Sequence, residues 1–169
     1  MILNVRNKWV SLRGGSKVTD VNENEVMYVK GKFWTFTRKK FVQTMDGKLL
    51  YTVRNKFWVL FAKKAMIYNS EGVEIARIRR KVFSLHDHYD IKSSLGEVTI
   101  RGNILGFDYH IVVNGKEVGH IARKISLRDS YVLEISDDFD PALFVAFTIA
   151  IDNIVDSMKE ESASVGSSY

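Results

Sequence analysis

Cysteine is absent from all 169 residues of the chain. Disulfides and thiolate sites are therefore excluded, and a reducing compartment suits the composition. Met1-Ile2-Leu3-Asn4-Val5-Arg6 has no apolar core of leader length, and its charge follows rather than precedes the apolar residues. The expected location is cytoplasmic. No nucleophile elbow, P-loop or Rossmann fingerprint occurs. Gly102-Asn103-Ile104-Leu105-Gly106 lacks phosphate-loop spacing. Ser84 and His86 stand two residues apart, and that spacing alone builds no triad. No catalytic residue and no cofactor is assigned, and the chain is not expected to be an enzyme. Proline occurs once, as Pro141. Long apolar runs are also scarce, and the only conspicuous one follows that proline.

Asp140 is a good N-cap, because its carboxylate can accept from the free N–H groups of a first helical turn. Pro141 then occupies the position where a missing N–H costs nothing. From Ala142 to Ile151 the only polar residue is Thr148. At 3.6 residues per turn such a helix is apolar on every side and must be enclosed by apolar material. A bilayer span needs about 20 apolar residues. This run is shorter, and Asp152 and Asp156 follow it. The expectation is a helix enclosed by its own protein.

The 140 or so residues before the helix read as strands and turns, with short Val/Ile/Phe/Tyr/Trp/Thr-rich runs bounded by Asn, Asp and Gly. Turn signals recur at Asn22-Glu23-Asn24, Asp46-Gly47, Asn69-Ser70-Glu71-Gly72, Ser93-Ser94-Leu95-Gly96 and Asn114-Gly115. The Asp-Gly and Asn-Gly pairs predict type I′ hairpins. The residues repeat as well. Lys32-Phe33-Trp34 with Lys39-Lys40 recurs as Lys56-Phe57-Trp58 with Lys63-Lys64. Arg80–Tyr89 is echoed by Arg123–Tyr131 with one residue fewer, the difference a β-bulge would make. About five hairpins with flanking strands make ten to twelve strands, and a sheet of that length tends to close. Alternation such as Val98 and Ile100 against Thr99 and Arg101 gives it an inward face. A cylinder that wide leaves more interior than its own side chains fill, and the all-round apolar helix fits that space. The expected fold class is α+β, mostly β. It is a closed antiparallel barrel of about twelve strands around a central hydrophobic C-terminal helix. The expected domain spans residues 1–158, with 159–169 as a flexible polar tail.

The strand repeats carry a resemblance to a known family. So do the Arg-Lys-x-x-Ser-x-x-Asp-x-Tyr pattern of Arg123–Tyr131, Val132-Leu133-Glu134-Ile135, and Asp138-x-Asp140-x-Ala142-Leu143 leading into Ala150-Ile151-Asp152. The chain resembles the LURP-one-related (LOR) family, which belongs with the phospholipid scramblases to the tubby C-terminal-like superfamily. The resemblance extends from residue 1 to about 158. It implies a twelve-stranded barrel closed on a central helix and little about function; the chain as a whole is read as a non-enzymatic scaffold or binding module. Tubby domains bind phosphoinositides.

Net charge is +5, but it is unevenly spread. Residues 1–81 hold 18 Lys/Arg against 6 Asp/Glu, and residues 82–169 hold 7 against 14. A basic half attracts phosphate-bearing partners. Lys39-Lys40, Lys63-Lys64, Arg79-Arg80-Lys81 and Arg123-Lys124 fall at matching places in the repeats, so one rim of the barrel is expected to collect them. With Trp34 and Trp58 nearby, such a rim suits an anionic phospholipid headgroup or membrane surface. The bland alternative is a solvated, edge-protecting face. A scramblase-like membrane protein is the runner-up. Nucleic acid is the less favoured partner, for which Phe33, Trp34, Phe36, Phe57 and Trp58 would have to stack bases. His86-x-His88 puts two imidazoles on one strand face beside Asp87 and Asp90, with His110 and His120 elsewhere. No third ligand has a convincing spacing, so no metal site is assigned. Asp152 and Asp156, one helical turn apart, call for solvent or a strand Lys or Arg rather than calcium.

Overall fold

Short apolar-alternating runs separated by turn residues become the strands β1 (Ile2–Arg6), β2 (Gly15–Thr19), β3 (Glu25–Gly31), β4 (Lys40–Thr44), β5 (Leu49–Lys56) and β6 (Lys64–Asn69). β7 (Glu74–Arg80), β8 (Asp87–Ser93), β9 (Gly96–Asn103), β10 (Asp108–Val113), β11 (Lys116–Arg123) and β12 (Ser130–Ile135) follow, and α1 (Pro141–Gly166) ends the order. The computed structural model describes residues 1–6, 15–31, 39–56, 64–80, 87–103, 108–124 and 130–166. All strand pairs are antiparallel between sequence neighbours, and β1 pairs with β12 to close the barrel.

Closure gives the barrel two unlike ends. The described turns at 20–24, 45–48, 70–73, 94–95 and 114–115 lie at one end, together with the entry to α1. Strands leave the other end at Arg6, Gly31, Lys56, Arg80, Asn103 and Arg123, and α1 runs toward it. Every residue of α1 from Ala142 to Val155 is buried, which is the enclosure that a helix apolar on all sides requires. α1 leans on β4, β5, β6 and β12. Facing the helix from β8 and β10, the larger rings of Tyr89 and Tyr109 fill the interior, edge to face at 5.9 Å. The alternation read from the sequence holds: Val98, Ile100, Ile111 and Val113 all point inward.

The cap on α1 forms as expected, with the Ala142 N–H donating to Asp140 Oδ1 at 2.9 Å. Thr148 is reconciled with its apolar surroundings by donating its hydroxyl to the Phe144 carbonyl at 3.0 Å. The helix continues to Gly166, beyond the boundary expected at residue 158. Lys159-Glu160-Glu161 and the Ser/Ala residues after them are adequate helix formers, and no strong breaker appears before Gly166. Asp152 consequently lies in mid-helix, where the terminal dipole does not reach it.

Two turn expectations need correction. Asn114 and Gly115 both take positive φ, 49° and 82°, as a type I′ hairpin requires. At Asp46-Gly47 only Gly47 does, at 89°. Gly47 N–H donates to the Thr44 carbonyl and Thr44 N–H to the Lys48 carbonyl, both at 3.0 Å. This is a three-residue loop, a turn followed by one left-handed residue, and not the two-residue type I′. The residue difference between the Arg80–Tyr89 and Arg123–Tyr131 repeats is also not a bulge in the described ladders. Arg80 faces Tyr89 and Arg123 faces Tyr131 in the same cross-strand relation, so the extra residue lies between the partners. The register shifts that do occur fall elsewhere, at Val18/Thr19, Val42/Gln43, Ile67/Tyr68 and Ile111/Val112.

Candidate functional site

Strand order in the barrel repeats sequence order, so the uneven charge of the chain becomes an uneven charge around the wall. β1–β7 carry the basic half and β8–β12 the acidic half. Between residues 26 and 81 the only Asp/Glu are Asp46, Glu71 and Glu74. All three sit in or beside turns at the end where α1 enters. There Glu74 is held by the Arg77 guanidinium at 2.6 and 2.9 Å. The opposite end of β3–β7 thus collects cations with no carboxylate from its own strands.

The rim residues expected from the sequence fall at that end. Lys39 precedes and Lys40 opens β4, Lys64 opens β6, Arg79 and Arg80 close β7, Arg123 closes β11, and Lys124 follows it. Lys63 and Lys81 lie outside the described residues, as do Phe33, Trp34, Phe36, Phe57, Trp58, Ser84 and His86. The structure does not bring all the described cations together. Lys39, Lys40, Lys64, Arg79 and Arg80 form an arc over β4–β7, in which Lys64 and Arg79 are direct cross-strand partners. Arg123 and Lys124 stand four strands further round the ring.

Nor do the cations of the arc point the same way. Lys40 shares the inward face of Val42 and reaches Asp152 Oδ2 at 3.6 Å. Asp152, almost fully buried, also accepts from the Tyr131 hydroxyl at 2.6 Å. A strand lysine thus meets the helix carboxylate, as its mid-barrel position demands. One residue on, Asn153 donates to Asn55 Oδ1 at 3.0 Å across the interior. Lys64 and Arg79 instead share the outward row with Met66 and Arg77, and Lys39 lies over the Phe41 ring at 4.9 Å. The same wall displays exposed Lys30, and Arg54 6.0 Å from the Tyr68 ring centroid. Neither was singled out from the sequence. Their signal was the alternation itself, since each is the polar partner of a buried valine, Val29 or Val53.

At the other end, Tyr51 donates to Asp140 Oδ2 at 2.5 Å, which joins β5 to the cap of α1. Burial, and then the Asp140 carboxylate, hold the Tyr51 phenol protonated well above its ordinary range. His88 is half-buried, with Nε2 2.9 Å from Asp90 Oδ1, so its nearest carboxylate is its own i+2 neighbour. His110 and His120 are direct partners across β10 and β11.

Comparisons with known proteins agree with this architecture. An X-ray structure of an Arabidopsis thaliana protein superposes with a TM-score of 0.60 over 89% of this chain and 90% of that chain. At 15% identity the likeness speaks for the fold alone. No curated protein matches the sequence. The family model described as LOR, LURP-one-related, matches residues 1–152, from the first strand to the buried Asp152 in mid-helix. A twelve-stranded barrel closed around its own C-terminal helix, matched over nine-tenths of its length by that model, belongs to the LURP-one-related family.

Proposed function

We propose that the protein is a non-enzymatic binding module that docks on anionic phospholipid headgroups through the outward cations of β3–β7. Membership of the LURP-one-related family supports the coarser statement, a scaffold or binding module without catalysis. The observation that carries the finer one is the one-signed end of β3–β7. Lys30, Lys39, Arg54, Lys64 and Arg79 share it, while the four carboxylates of that stretch, Glu25, Asp46, Glu71 and Glu74, lie at the opposite end. Each basic residue near an anionic leaflet contributes about 1 kcal/mol, and the contribution fades beyond a Debye length. The cytoplasmic leaflet is the surface this arrangement suits.

A membrane-crossing, scramblase-like role is less favoured. Length does not exclude a span, contrary to the expectation from the Ala142–Ile151 run, because Pro141–Met158 is long and apolar enough to cross. Burial argues against it, since 83% of that window is enclosed by the barrel. Withdrawing it would leave the inward faces of twelve strands without their core.

Vesicle flotation tests the proposal. Wild-type protein is expected to float with phosphatidylserine- or phosphoinositide-containing vesicles at low salt and to stay behind with neutral ones. Lys64→Ala with Arg79→Ala is expected to weaken binding by about 2 kcal/mol, on the order of thirty-fold. Equal flotation with neutral and anionic vesicles would end the lipid reading. Salt-sensitive capture by single-stranded nucleic acid in preference to vesicles would replace it.

A further inference from the structure

The acidic side of the barrel carries a second constellation, remote from the basic arc. Asp108 and His110 are i and i+2 on β10, so both side chains leave the same face of the wall. His120 stands directly opposite His110 on β11. The two imidazoles stack at 4.8 Å with 29° between their planes. Asp108 Oδ1 lies 2.6 Å from His120 Nε2 and 4.0 Å from His110 Nε2. One ligand atom from each of the three residues lies within 4.8 Å of the others. Donors about 2.0–2.1 Å from a tetrahedral ion sit about 3.3 Å apart. The observed separations bracket that value, and all three side chains are exposed enough to adjust by a rotation about χ1 or χ2.

We propose that Asp108, His110 and His120 bind a divalent transition-metal ion of the Zn²⁺ class on the outer wall of the barrel. Two imidazoles and one carboxylate favour zinc and its first-row neighbours over calcium or magnesium, which prefer oxygen ligands throughout. His110 is prepared for the task by Glu117, whose Oε1 lies 2.9 Å from Nδ1. A carboxylate only accepts, so Nδ1 carries the proton and the Nε2 lone pair faces the site. His120 begins with its Nε2–H toward Asp108, and the ion takes that place as the imidazole proton moves to Nδ1. Glu134 stands opposite His120 on β12 and Arg101 opposite His110 on β9, so one acidic and one basic residue flank the imidazole pair. A groove of about 370 Å³ bordered by Met1, Glu117 and Glu134 runs along the β12 side of His120 and opens that flank of the imidazole to solvent. His88 with Asp90 serves as the internal comparison, since that pair offers one imidazole and one carboxylate.

The test is equilibrium dialysis of untagged, full-length protein against Zn²⁺ in a non-chelating buffer, repeated with Co²⁺ to read its visible absorption. One ion per chain is expected. His110→Gln and His120→Gln should each weaken binding at least tenfold and remove the tetrahedral cobalt bands. Glu117→Gln should weaken it ten- to hundred-fold. His88→Gln should bind as the wild type does. His110 is half-exposed on the outer wall, so its variant is expected to unfold at the wild-type temperature, which separates ligand loss from misfolding. Absence of saturable Zn²⁺ binding overturns the proposal. Binding that survives both His110→Gln and His120→Gln overturns it too, as does binding that falls equally in His88→Gln.

Discussion

Lys40 shows how position within a strand divides structural from functional charge. It and Lys39 are neighbours in sequence, but alternation sends Lys40 inward to Asp152 and Lys39 outward over Phe41. Losing the partner of a buried carboxylate costs about 3–5 kcal/mol in a dry interior. The partial exposure of Lys40 and the remaining Tyr131 hydrogen bond reduce that to about 2 kcal/mol. Lys40→Ala is therefore expected to shift denaturant unfolding by about this much while leaving vesicle binding within a few-fold. An unchanged midpoint would remove the ion pair from the account of stability. Tyr51 sets a second expectation. Its raised folded-state value means that the unfolded chain ionises first as pH climbs past the ordinary tyrosine value of about 10. The stability this phenol contributes is intact below that pH and declines above it. Tyr51→Phe should flatten the alkaline limb of a stability-against-pH curve.

At the scale of elements, three turns share one hydrogen-bond pattern, and one of the three does without glycine. Gly47 and Gly72 donate back to Thr44 and Asn69 with φ of 89° and 84°. Glu23 holds the corresponding place, donating to Asp20 with φ 64°. A left-handed side chain costs roughly 1–2 kcal/mol, part of which glycine returns as unfolded-state entropy. Glu23→Gly is thus expected to raise stability by about 0.5–1 kcal/mol and Gly47→Ala to lower it by about 1 kcal/mol, both readable by urea titration. α1 has less latitude. Phe147 is fully buried and packs at 5.5 Å from Phe144, so Phe147→Ala should cost about 3–5 kcal/mol. Phe147→Asp would place an unpaired charge on the barrel axis. It should yield no cooperative unfolding transition, and a soluble variant with one would contradict the enclosed-helix account.

For the whole molecule, a ring of strands in sequence order converts a gradient along the chain into a gradient around the wall. That is why counting charges on either side of residue 81 anticipated a basic and an acidic side. Lipid flotation should accordingly weaken steeply with ionic strength, as screening of outward charges requires. What the counting missed was direction. The matching doublets of the repeats predicted a shared end, and the described ones share it. They did not reveal that Arg123 and Lys124 stand across the ring from the β4–β7 arc, because the ring's circumference is invisible in a linear repeat.

The amino-acid sequence determined the central helix, because a run apolar on all sides has no stable home but an enclosed one. It determined the strand periodicity, most turns and the charge gradient for reasons equally local. Tertiary structure alone decided the pairings that depend on one residue of register. Continued without a shift from the Asn114-Gly115 turn, the β10–β11 ladder would set His110 against Gly119. The shift at Ile111/Val112 sets it against His120 instead. A single extra residue moves a strand's side chains from one face to the other, and no spacing in the chain announces where that residue will be accommodated.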